Sequence, residues 1–222
     1  KGFTLVELLM CIAIMMFMTG TILWKYPDST VKMNVVNDTH LTALFIKEAQ
    51  LKGSSVDSLA GSVGGYGIFF NSATSSQVVL FKDRIDTDIS TPYGLGIGNG
   101  LYDSFPSDYS KDEYKSVIVL QPRYTFKKLC VQDPNNTTKF LCDDEVTPHI
   151  KTLTISFSRP SSVAHIFVNS DKATDYSSAC IQINSPQANN ATFAASSQAV
   201  GHIRSVQVYH SGMITTSPSG CE

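Results

Sequence analysis

From Phe3 to Trp24 nearly every position is apolar, and Glu7 is the one charge. A run of about 22 residues, rising ~1.5 Å each as a helix, spans a hydrocarbon core of ~30 Å. No small-x-small cleavage site follows it, and Trp24, Lys25 and Tyr26 suit a membrane–water interface. The pattern therefore predicts a retained anchor with the soluble part C-terminal to it.

Beyond the anchor the period changes. Pro27 is expected to break or kink the helix, with Asp28 or Ser29 capping its resumption. Val31, Val35, Leu41, Leu44, Phe45 and Ala49 then recur largely at steps of three and four, predicting an amphipathic helix up to Lys52. Gly53-Ser54-Ser55 reads as its stop, with Lys47 and Lys52 placed favourably against the helix dipole.

After Gly65 the period is that of strands. They are predicted at Tyr66–Phe70, Gln77–Phe81, Ser116–Gln121, Ala164–Val168, Ala179–Ile183, Ile203–Tyr209 and Met213–Thr215. Thr152–Phe157 alternates cleanly and should bury one face. Two long loops separate them: Asp83 to Lys115, rich in Asp, Gly, Tyr and Pro, and Ser185 to Gln198, nearly all Ser, Ala and Asn. The predicted organisation is an anchor (1–27), an amphipathic second half of the helix (28–55) and a β-rich head (56–222).

Composition narrows the function. Among 222 residues the net charge is -2 and the basic residues are dispersed, so bulk electrostatics make no case for nucleic-acid binding. Of five cysteines, Cys11 lies in the anchor; Cys130, Cys142, Cys180 and Cys221 lie beyond it. That distribution points to an oxidising compartment and two disulfides. The competing reading, zinc, lacks any Cys-x-x-Cys or His-x-x-x-His spacing. Four cysteines allow three pairings; the turn Asp133-Pro134-Asn135-Asn136 favours Cys130 with Cys142, which leaves Cys180 to tie down the tail through Cys221.

Candidate chemistry is sparse. His40, His149, His165, His202 and His210 are scattered, and no nucleophile elbow or phosphate-binding glycine loop is present, so an enzyme is not expected. Asp83, Asp86 and Asp88 open an acidic loop with the hard oxygen ligands calcium takes, although the 12-residue calcium-loop pattern fails there. Sequons at Asn37, Asn135, Asn136 and Asn190 arise readily by chance in so Ser/Thr/Asn-rich a chain.

The opening Lys1-Gly2-Phe3-Thr4-Leu5-Val6-Glu7-Leu8-Leu9-Met10 resembles the prepilin signature of type IV pilins and type II secretion pseudopilins almost residue for residue. The resemblance implies a membrane peptidase that cuts after Gly2 and methylates the new N-terminal Phe3, and it gives Glu7 the glutamate's part in subunit assembly. More loosely, Ala49-Gln50, Tyr66-Gly67-Ile68, Thr154–Pro160, Val206-Gln207-Val208 and the Gly212 hairpin resemble the layout of H-type minor pseudopilins. The implied fold is α+β, a long N-terminal helix packed on an antiparallel sheet. The implied function is structural: a subunit of a type IV pilus or related filament. Its partners would be itself or other pilin subunits, the inner-membrane assembly machinery and the prepilin peptidase. It would sit in a bacterial inner membrane before assembly, and afterwards in an extracellular pilus or a periplasmic pseudopilus. Two rivals share the residues: a type II secretion pseudopilin, against which size and two disulfides weigh mildly, and a membrane-tethered binding domain that never polymerises.

Overall fold

The computed structural model describes residues 4–55, 63–84, 100–102, 114–120, 125–134, 136–143, 150–158, 162–171, 174–184 and 202–221. One helix, α1 (Leu5–Ser54), runs 50 residues without interruption, about 75 Å at the usual rise. The expected break at Pro27 does not occur. A proline removes a single backbone donor, and the turns on either side keep the helix continuous. The helix does end within the expected Gly53-Ser54-Ser55 stop, at Ser54, where the N–H of the C-cap Ser55 donates to the Leu51 carbonyl.

The strands follow in order: β1 (Val63–Asn71), β2 (Gln77–Arg84), β3 (Tyr114–Val119), β4 (Thr125–Asp133), β5 (Asn136–Cys142), β6 (Thr152–Ser158), β7 (Ala164–Val168), β8 (Ser178–Asn184), β9 (Ile203–Tyr209) and β10 (Ile214–Ser217). They form two sheets where one was expected, in the orders β3-β2-β1-β6-β7 and β10-β9-β8-β4-β5. All their pairings are antiparallel. The head is thus α+β, with α1 touching β1, β2 and β6 of the first sheet and β8, β9 and β10 of the second.

The helix face that does this differs in part from the one its leucines suggest. Val35, Asp38, Thr39, Thr42, Ala43, Phe45, Ile46 and Ala49 are buried, whereas Leu41 and Leu44 point outward. Small side chains win because the backbone of α1 lies close to the strands. Each buried threonine hydroxyl is satisfied within the helix: Thr39 Oγ1 donates to the Val35 carbonyl at 2.7 Å and Thr42 Oγ1 to that of Asp38 at 2.8 Å. Ile46 and Ala49 then meet Ile68 and Phe70 of β1, Leu153, Ile155 and Phe157 of β6, Ala179, Ile181 and Ile183 of β8, and Val206 and Val208 of β9 in one core. The alternation in each strand is what puts these residues on a single face.

After β7 the chain reverses over Asn169 and Ser170, both with positive φ (53° and 59°), and the Asp171 N–H closes the turn on the Val168 carbonyl. Two successive left-handed residues make a turn that favours Asn followed by Gly. Asn169 fits, and its Oδ1 also accepts the N–H groups of Lys151 and Thr152. Ser170 carries a Cβ where none is wanted. Ser170→Gly is expected to raise stability by about 0.5–1 kcal/mol, the relief of left-handed strain less the added freedom of the unfolded chain. An unchanged or lower denaturation midpoint would show that the serine is unstrained.

Candidate functional site

The exposed end of α1 is where sequence and geometry coincide. Thr4 is the N-cap: its Oγ1 accepts the Glu7 N–H at 3.3 Å, and Glu7 Oε2 takes the N–H and the hydroxyl of Thr4, each at 3.0 Å. This reciprocal capping box satisfies two backbone donors at the helix start, those of Thr4 and Glu7, and sets where the helix begins. In the single chain, then, the lone carboxylate of the apolar run has a local partner. Lys1, Gly2 and Phe3 lie outside the described residues.

From Leu5 to Ile22 the mean hydropathy is 2.1 and none of the segment is buried, so it is long and apolar enough to cross a membrane. Leucines, methionines and isoleucines face outward on all sides, Phe17 at 75 % exposure. The two hydroxyls are turned back onto the helix: Thr19 Oγ1 donates to the Met15 carbonyl at 2.7 Å and Thr21 Oγ1 to that of Met18 at 2.8 Å. A segment with its polar atoms satisfied internally and its apolar surface bare suits hydrocarbon and fits poorly in water. Cys11 is a free, exposed thiol on this stretch.

Two disulfides lie on the head, joining Cys130 to Cys142 and Cys180 to Cys221. The first staples the β4–β5 hairpin across a directly opposed pair; the second ties the tail to β8. Of the acidic loop, Asp83 is buried on β2, and its Oδ2 accepts the Gly100 N–H at 2.9 Å. Asp86 and Asp88 lie outside the described residues. Among the described residues, no group of three or more His, Cys, Asp or Glu could hold a metal.

Sequence reading missed one cluster. His165 of β7 and His210 of the β9–β10 turn converge on Asp175, with Nδ1 to Oδ2 separations of 2.8 and 3.8 Å. The other Asp175 oxygen accepts the Ile166 N–H at 2.8 Å. The arrangement clamps the edge of the first sheet to the turn of the second. Only the meeting of the two sheets, where the Ala164 N–H donates to the His210 carbonyl, brings these three residues together, and no local spacing announces it.

Comparison with family models, with curated proteins and with solved structures finds no match to this chain.

Proposed function

We propose that the chain is a structural subunit of a type IV pilus or related extracellular filament, assembled through α1. The observation that carries this reading is the single uninterrupted helix. Its N-terminal part is bare and apolar, it holds one carboxylate near its start, and its C-terminal part is built into the head. A bundle of like helices offers that surface the same apolar surroundings as the membrane does, so one sequence serves before and after assembly. The prepilin-like opening supports the same reading independently. A cut after Gly2 would free the Phe3 amine as a cation about one helical turn from Glu7. The inner-membrane assembly machinery and the prepilin peptidase are the partners this implies. Disulfides on the head suit the oxidising space outside that membrane.

Mass spectrometry of the N-terminal peptide of the mature protein tests the processing step. The expected peptide starts at Phe3 and carries one added methyl group. A mature chain that retains Lys1 and Gly2 would favour a tethered domain that does not polymerise.

A further inference from the structure

The two disulfides are adjacent. Strands β5, β4 and β8 are neighbours, and Cys142, Cys130 and Cys180 stand at the same height on them: Cys130 is the register partner of Cys142 on one side and of Cys180 on the other. Directly opposed residues of an antiparallel sheet share a face, so the three side chains form one row. It lies on the face turned away from the main core, since Leu129, Val131, Ala179 and Ile181 occupy the other. The C-terminal tail crosses the same face. The Cys221 N–H donates to Gln182 Oε1 at 3.3 Å, and Ser205 Oγ donates to the Ser219 carbonyl at 2.9 Å. Burial grades the row sharply: Cys130 and Cys180 are 0 % exposed and Cys142 4 %, while Cys221 is partly open to solvent.

We infer that these disulfides form a relay, in which a thiol acting on the exposed tail bond is transmitted to the buried hairpin bond. An external thiolate such as glutathione reaches the sulfur of Cys221. Its attack forms a mixed disulfide there, breaks the Cys180–Cys221 bond and expels Cys180 as a thiolate inside the row. Cys180 then attacks the sulfur of Cys130, forming Cys130–Cys180 and breaking Cys130–Cys142. Cys142 leaves as a thiolate and takes a proton from water. Each step breaks one disulfide and makes one, so no oxidant or reductant beyond the entering thiol is needed. The new bond is sterically available: opposed residues of antiparallel strands have Cα atoms ~4.5–5.5 Å apart, within the range a disulfide spans. The result is a released tail and a freed Cys142, reached without opening the main core. It stands whether or not the chain polymerises.

The test uses the full chain in detergent with Cys11→Ser, which removes the unrelated thiol. Cleavage after Lys128, Lys139, Lys151, Lys172 and Arg204 places each of the four cysteines on its own tryptic peptide. After incubation with reduced glutathione and an alkylating quench, three products are expected together: glutathione on Cys221, alkyl on Cys142, and a Cys130–Cys180 cross-link. Alkylation of Cys180 with Cys130–Cys142 intact would overturn the relay, and so would a protein that takes up no glutathione. A Cys11→Ser, Cys221→Ser variant supplies the Cys180 thiol permanently and should show alkylated Cys142 while still folded. If its thermal transition is lost, the glutathione experiment on the four-cysteine chain decides.

Discussion

Glu7→Gln is expected to leave membrane insertion and head folding intact while cutting incorporation into filaments at least a hundredfold. On the proposed cut after Gly2, the Phe3 amine and Glu7 would be opposite charges at the edge of the hydrocarbon, where each is costly alone. In a staggered bundle, Glu7 of an incoming subunit can exchange its contact with Thr4 for the Phe3 amine of a neighbour. Attraction at low effective dielectric is several-fold that in water, so the pair can fix axial register where apolar contacts alone let helices slide. Leaving one member of a buried pair without the other costs about 3 kcal/mol or more, which is the hundredfold. The substitution is clean because glutamine serves the capping box as well as glutamate does. Thr4→Val is the complement: it removes the cap, at about 1 kcal/mol locally, and keeps the charge, so filaments should form nearly as in the parent. Counting filaments per cell and subunits per membrane for both variants separates the roles. If Glu7→Gln assembles normally, or if Thr4→Val fails as badly, the charge does not set register.

Gly53→Ala is expected to destabilise the head by about 3 kcal/mol, although in an exposed helix the same change stabilises by about 1 kcal/mol. A Cβ on Gly53 would lie 2.5 Å from the Phe157 carbonyl oxygen and 2.7 Å from the Phe157 Cβ. Phe157 belongs to β6, and its side chain fills the core beneath α1, so neither atom can swing aside. The last turn of the helix must therefore lift off the sheet. A Cβ on Gly65 of β1 would crowd the same carbonyl oxygen, so the oxygen is enclosed from two directions. For a chain of this size the loss lowers the melting temperature by roughly 6–12 °C. Thermal unfolding followed by circular dichroism in detergent reads it. An equal or higher midpoint would mean that α1 does not dock this tightly.

Much of this architecture is legible in the sequence, for definable reasons. The exposed apolar part of α1 needs no tertiary information, since an apolar run with one charge announces itself. Strands β7 and β9 have the predicted bounds because their alternation is clean and turn residues flank them. The cysteines pair as the 133–136 turn suggests, since that turn brings β4 and β5 face to face. The failures are equally physical. Leu41 and Leu44 have the right spacing for a core face, but a helix lying close to strands selects Thr39, Thr42, Ala43 and Ala49 instead. Two sheets rather than one could not be read from strands alone, because pairing partners such as β1 and β6 are far apart in sequence. The tightness at Gly53 is likewise invisible until β6 is placed against it. The Asp175 clamp is assembled from β7, the β7–β8 connection and the β9–β10 turn, and has no signature at all.

The central claim is that this chain polymerises through α1. Surface filaments should be sheared from cells, purified, imaged by electron microscopy, and their subunit identified by mass spectrometry. The expected result is filaments of a single repeating subunit identified as this chain, beginning at Phe3, with the α1 helices bundled along the axis. Finding the protein only as membrane-bound monomers, or in filaments whose core excludes α1, would contradict it.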